Sequence, residues 1–330
     1  MTSLNKSLSS SDLTHEIHFS FPGVQIGEAV DEAGPTGCTV LSFPIGATAA
    51  VDVRGGSAAL RESTLLDPIS SWAGLDALVF AGGSTYGLES ASGVMQALMD
   101  ARAGKTGFND IPSVPAAVVY DFGGRKTSHY PTAALGRRAF EAAQEGRSGI
   151  GKVGAGRNVL VGKLLGREHG EPGGQGAAFL QTRSGYRLLA LTIVNALGNI
   201  LDFEGKVIAG SRDPSSGKRI PAHERYQSRG APPSESLLAQ PQGGNTTLSC
   251  LVTDAPLDRI ELQRLAMMCH SAMARVIEPF HTPYDGDALF AISVTGGPSL
   301  PSDRSSLVME LGTLGGHLLC QAVHSSLTEI

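Results

Sequence analysis

Gly243-Gly244-Asn245-Thr246-Thr247-Leu248 joins a Pro- and Ser-rich stretch to the apolar, β-branched run Thr246 to Thr253 (TTLSCLVT). Two glycines permit strained or positive-φ backbone, and the run that follows has strand composition. Loop becomes strand at one bond, and the residue after that bond carries a hydroxyl. Attack of Thr246 Oγ on the Asn245 carbonyl, an N-to-O acyl shift and ester hydrolysis would leave Thr246 as a new N-terminus. Its α-amine, with a pKa of roughly 7.7 to 8.0, could then act as base for its own hydroxyl. The same residues also fit the N-x-[ST] acceptor pattern and an ordinary loop ending before a strand. The rest of the chain has to choose between these readings.

Working outward, residues 211 to 244 are poor in β-branched and aromatic residues and read as a mobile linker. A scissile bond needs such a neighbour, because the new C-terminus must move away. Upstream, Tyr186 to Val194 (YRLLALTIV) is a strongly apolar strand with Asn195 at its end, where a polar residue either points into a site or caps a turn. Lys163 stands alone among apolar and glycine neighbours; a lone lysine is ordinarily solvated. Downstream, a helix over 258 to 277, with Ile260, Leu265, Met268, Ala272 and Val276 on a buried face, leads to Glu278 to Asp287 and a last strand Ala288 to Val294. Asp285, Asp287 and His281 supply too few oxygen ligands for a hard cation, so no metal is assigned. Ser305 to Leu327 is the last helix.

In the first half, Val40 to Phe43, Ala49 to Val53 and Leu75 to Phe80 read as strands. Ala81 to Gly87 turns into a helix through about Ala103, either as a tight turn or as a loop presenting N–H groups to an anion. Val114 to Tyr120 is a strand and Pro131 to Glu145 a helix. Gly149 to Gly154 matches G-x-G-x-x-G, and Gly146 to Lys152 most of a P-loop, but a helix rather than a strand leads in and Val153 replaces the Ser/Thr that holds Mg²⁺.

Composition narrows the class. The 330 residues are 41% hydrophobic with net charge -5 and no Lys/Arg block, which argues against nucleic-acid and membrane partners. Residues 1 to 17 form a polar tail expected to be disordered, with no apolar signal region, and residues 18 to 330 are expected to form one domain in a cytoplasmic protein. Cys38, Cys250, Cys269 and Cys320 lack C-x-x-C spacing and read as small buried hydrophobes.

Gly244 to Leu248, Ala274-Arg275, Pro279-Phe280-His281-Thr282 and Asp285 to Phe290 together resemble the L-aminopeptidase/D-esterase family of self-processing N-terminal-nucleophile hydrolases. The resemblance extends upstream through Phe21 to Val24, Val53 to Gly56, Gly82-Gly83, Tyr86 to Glu89, Tyr120 to Phe122 and Gly174 to Phe179, and covers about residues 18 to 325. Gly174 to Phe179 and Phe280 to Phe290 look most like the nylon-oligomer (6-aminohexanoate oligomer) hydrolases of that family.

The resemblance implies an α+β fold, a four-layer αββα sandwich, cut between Asn245 and Thr246 into α (1 to 245) and β (246 to 330) subunits whose αβ units assemble as tetramers or larger rings. It makes Thr246 the nucleophile, Lys163 and Asn195 its partners, Asp285 and Asp287 the supporting acids, and Tyr86 a substrate-facing residue, with no cofactor. In that set the two carboxylates would offset the burial of the Lys163 charge, the lysine would keep the Thr246 amine unprotonated, and Asn195 would donate to an oxyanion. The expected activity is amide hydrolysis of short oligomers; the alternatives are an aminopeptidase for L-, D- or β-amino acids, an ornithine-acetyltransferase-like acyltransferase, and an unprocessed phosphate-binding protein.

Overall fold

A computed structural model describes residues 15–72, 74–227 and 244–327. The strands that matter here are β1 (His15–His18), β2 (Gln25–Asp31), β3 (Thr36–Val53), β4 (Leu75–Ala81), β5 (Ala116–Val118), β6 (Arg147–Ile150), β7 (Gln175–Gln181), β8 (Arg187–Asn195), β9 (Thr246–Thr253) and β10 (Ala288–Val294). The helices are α1 (Ser90–Ala101), α2 (Ala133–Glu141), α3 (Ala222–Gln227), α4 (Arg259–Met273) and α5 (Arg304–Ser325).

β3 organises the sheets. Its first half pairs antiparallel with β2 and with β4, and its second half, Ala47 to Val53, pairs antiparallel with β10. Between them the register shifts at Ser42/Ala47, where Pro44 has no N–H to give and Gly46 sits at φ +76°. One strand therefore serves two sheets. The first runs β7-β8-β9-β10-β3, antiparallel except for the parallel β9/β10 pair; the second runs β2-β3-β4-β5.

Period-two alternation then builds three cores. Leu189, Leu191, Leu248, Cys250 and Phe290 point between the sheets toward Leu41, Leu78 and Phe80. The outward residues Leu188, Ala190, Leu251 and Leu289 meet Leu262, Leu265, Cys269 and Leu319 of α4 and α5. On the far side, Val40 and Val79 meet Ala91, Val94 and Leu135 of α1 and α2. The result is the expected αββα order of layers.

Several expectations change. β1 draws residues 15 to 17 out of the supposed tail: they pair with β6, and Ile17 packs on the inter-sheet core. Residues 1–14 lie outside the described residues. The first half of the 211 to 244 segment is bound rather than loose. Arg212 and Arg219 both engage Glu171, Ser211 is buried with its hydroxyl donating to the Gly162 carbonyl at 2.6 Å, and α3 follows. Its polar composition hides contacts to buried partners; residues 228–243 lie outside the described residues. Along α4 the buried face is Leu262, Leu265, Ala266, Cys269 and Met273, leaving Ile260 73% exposed on the opposite side. α2 stops at Glu141, so the strand β6 and not a helix leads into the glycines at 149 to 154; they are followed by a single 3₁₀ turn, Gly154–Gly156, and not by the helix that a dinucleotide fingerprint needs.

The loop at Gly82-Gly83 is a tight turn: its N–H groups go to the Gly37 carbonyl and to Asp121 Oδ1, and Ser84 N–H goes to the Val119 carbonyl. All four cysteines are buried, and burial pushes the Cys38 and Cys250 thiols up to about 12. Among the described residues no helix is long and apolar enough to cross a membrane.

Candidate active site

β9 starts at Thr246, and its register against β8 sets Asn195 directly opposite. Just upstream, Gly244 adopts φ +101°, left-handed backbone that suits glycine, with its Cα against the Tyr120 ring. Asn245 bridges to Asp285, so the Asp285-Gly286-Asp287 turn that leads into β10 lies beside the candidate scissile bond. The loop carrying Lys163 is fastened to the turn after β8 by Gly162 N–H to Gly198 O and Lys163 N–H to Leu197 O, each 2.8 Å. Strand pairing and two loop contacts therefore bring Thr246, Asn195, Lys163, Asp285 and Asp287 together.

Two donors converge on the Asn245 carbonyl oxygen: the Thr246 hydroxyl and the Gly286 N–H at 2.8 Å. A side chain at 286 would not fit this arrangement, since a Cβ there would stand 2.7 Å from Thr246 Oγ1. One residue earlier, the Gly244 carbonyl accepts from Asn195 Nδ2 at 2.8 Å and from Lys163 Nζ at 3.4 Å. Asn195 Nδ2 also donates to the Tyr120 carbonyl at 3.1 Å, and its Oδ1 accepts from Leu160 N–H and Lys163 Nζ. This places an amide donor and a cation beside a peptide carbonyl with no side-chain freedom left to Asn195.

The charges are arranged differently from the expected lysine–carboxylate pairing. Lys163 Nζ donates to Asn195 O and Oδ1, both at 2.9 Å, and among the described residues it makes no ion pair within 4.0 Å. Burial, aided by the Arg167 charge, drives the Lys163 pKa well below its ordinary value, while Asp285 and Asp287 oppose that shift from a distance. Asp285 is pushed up to about 6 by burial and by the like charge of Asp287, against hydrogen bonds from the Thr282 hydroxyl and Leu197 N–H. Among the described residues no group of three or more His, Cys, Asp or Glu side chains is placed to hold a metal ion.

The sequence pattern of peptidase family S58 matches residues 20–328. The chain belongs to that family. Like other members of peptidase family S58, it is an amide-bond hydrolase. It is 40% identical over 305 residues, 91% of this chain and 81% of the relative, to the 6-aminohexanoate-oligomer endohydrolase of Kocuria sp.. It is 35% identical over 308 residues, 87% of this chain and 84% of the relative, to an uncharacterized aminopeptidase of Mycobacterium bovis. Its fold is similar to that of the L-aminopeptidase D-Ala-esterase/amidase of Ochrobactrum anthropi, a variant of the Ntn hydrolase fold, with TM-score 0.67, 17% identity, and 92% and 83% of the two chains covered.

Within this S58 site, Tyr86 stands apart. It is 66% exposed on the 3₁₀ turn Ser84–Glu89 and reaches Gly244 only through neighbouring rings: Tyr86 to Phe122 at 6.4 Å, then Phe122 to Tyr120 at 5.7 Å between centroids. Sequence reading missed the Gly286 N–H and the Tyr120 carbonyl, because backbone groups leave no side-chain signature. It also missed Asp52 and His270, which meet at 2.9 Å behind the acids. An acid on a strand and a histidine on a helix carry no shared motif, and only the packing of α4 on the sheet joins them.

Proposed function

We propose that the chain cuts itself between Asn245 and Thr246 and that the freed Thr246 hydrolyses internal amide bonds of short oligomers with flexible, largely apolar chains, 6-aminohexanoate oligomers among them. The observation that carries the reading is the convergence of the Thr246 hydroxyl and the Gly286 N–H on the Asn245 carbonyl. In the first reaction Thr246 Oγ bonds to the Asn245 carbonyl carbon and the Gly286 N–H steadies the oxyanion. The C–N bond then breaks, the Thr246 nitrogen takes the hydroxyl proton, and water hydrolyses the ester to leave an Asn245 carboxylate and a free α-amine.

Departure of Gly244 would free the Asn195 amide and Lys163 to face a substrate carbonyl instead. The Thr246 amine accepts the hydroxyl proton as Oγ attacks that carbonyl, returns it to the leaving amine, and water releases the acyl group. A protonated lysine nearby disfavours protonation of this amine and keeps it in the free-base form. The 40% identity to an oligomer endohydrolase supports the substrate class. Assembly of αβ units into a tetramer rests on the family resemblance and is read by solution mass.

A denaturing gel and intact mass after incubation at neutral pH should give fragments 1 to 245 and 246 to 330, while Thr246→Ala stays whole. Cleavage at any other bond, or none, defeats the assignment. The matured enzyme should then cut a 6-aminohexanoate oligomer and its N-acetylated form alike. Rapid turnover of L- or β-alanyl p-nitroanilides with none of blocked oligomers would make it an aminopeptidase instead.

A further inference from the structure

Asp287 is fully buried, and its two oxygens do different things. Oδ1 accepts the Thr247 N–H at 2.7 Å, gripping the residue after the candidate nucleophile. Oδ2 accepts the His281 N–H at 3.0 Å and faces His281 Nδ1 at 3.1 Å. A carboxylate only accepts, so the assigned tautomer carries its proton on Nδ1. The His281 ring stacks on Phe280 with centroids 3.8 Å apart and meets the His270 ring edge-on at 4.2 Å. His270 is in turn held by Asp52, which also takes Arg54 Nε at 2.6 Å.

The arrangement costs stability in two ways. His281 sits at φ +58°, a left-handed conformation unfavourable to a residue with a Cβ. Of the four buried side-chain polar atoms without a partner among the described residues, three lie along this line: Thr247 Oγ1, His270 Nε2 and His281 Nε2. Buried polar atoms in native proteins nearly always find partners, and an apolar ring would avoid the penalty. What the imidazole supplies that an apolar ring would not is the N–H aimed at Asp287.

We infer that His281, backed by His270, is a positioning residue for Thr246: it fixes the Asp287 carboxylate so that Oδ1 holds the Thr247 N–H and, through it, the Thr246 hydroxyl against the carbonyl bound by Gly286 N–H. This rests on the reading of Thr246 as the nucleophile. It separates a donor role from a backbone role, and the two can be tested apart. His281→Gly keeps the left-handed turn without strain and removes the ring. His281→Asn tolerates the same φ and can place an amide N–H where Nδ1–H stood.

The experiment follows maturation by gel, kcat and KM on the matured protein with a 6-aminohexanoate oligomer, and Tm, for wild type and both variants. In His281→Gly, maturation and kcat should fall about tenfold with KM unchanged, the loss expected of one hydrogen bond to a charged group. His281→Asn should recover to within about threefold of wild type, the residue of a weaker fit of the same donor. A glycine variant that matures and turns over like wild type, or an asparagine variant no better than glycine, overturns the positioning role. An uncut wild type overturns the nucleophile assignment itself, so the two failures are distinguishable.

Discussion

Lys163 and Asp287 lie on either side of the start of β9, both buried, and their surroundings are opposites. Oxygen acceptors ring the lysine: Asn195 O, Asn195 Oδ1 and the Gly244 carbonyl. Donors ring the carboxylate: Thr247 N–H, His281 N–H and His281 Nδ1. Each charge is thus solvated by dipoles of the chain instead of by its opposite. Carbonyl dipoles offset only part of the cost of burying an ammonium, which is why burial pulls Lys163 so far down. A lysine held this way gives up its proton more easily than a solvated one, whereas an acid gripped by three donors is fixed in orientation.

The largest effect expected from this contrast is at Lys163. Lys163→Met removes the charge and keeps the apolar stem, so turnover of the matured protein should fall about a hundredfold, the scale seen when one electrostatic stabiliser is lost. Stability should move the other way. With no counter-ion left stranded in direct contact, trading a buried ammonium for a thioether should raise Tm slightly, by about 2 °C for about 1 kcal/mol in a chain of this size. A large fall in Tm, measured calorimetrically, would mean that the lysine is ion-paired after all and would break the comparison.

Asp285 comes next, because it belongs wholly to neither environment. It takes a hydroxyl and one N–H, stands near Asp287, and is pushed up to about 6. A folded value above the ordinary 3.8 means that the native state binds the proton more tightly than the unfolded chain. The stability this contributes is fully present below the ordinary value and is lost as pH rises through about 6. Asp285→Asn should therefore flatten the Tm–pH curve between about pH 4 and 6, removing a stability change on the order of 2 kcal/mol across that window. Its kcat should fall about tenfold, as for a supporting group in acid–base chemistry. An unchanged Tm–pH curve in the variant would assign the titration to another group.

These contrasts were only partly legible in the sequence. The sequence marks β9 and β10 at their observed bounds because both are central, buried on both faces and rich in β-branched and apolar residues. β3 looks like two strands in the sequence: the Pro44-Ile45-Gly46 interruption resembles a turn, and only tertiary pairing shows one strand passing between sheets. Thr246, Asn195, Lys163, Asp285 and Asp287 could be named from motif resemblance, and strand register explains why they meet. That Lys163 would face carbonyls and Asp287 would face histidine and backbone could not be read, since both depend on loop geometry. The same limit hid the Gly286 N–H.

Tyr86 should give the smallest effect, and it tests whether the aromatic row beyond the lysine side serves binding alone. Its ring is mostly exposed and packs on Tyr130 at 5.5 Å between centroids, so truncation removes little buried area and Tyr86→Ala should change stability by less than about 0.5 kcal/mol. The row ends at the Tyr120 ring against Gly244, where the acyl side of a substrate would lie once that residue departs. A flexible apolar chain laid along these rings gains contact both before and during reaction, which is uniform binding and changes KM without kcat. Tyr86→Ala should therefore raise KM about threefold for longer oligomers, the value of part of one ring contact, and leave kcat intact. Because the shortest substrates would not extend as far as residue 86, their KM should hardly move. Equal losses at every chain length, or a fall in kcat, would move Tyr86 out of a remote binding role and into the machinery around Thr246.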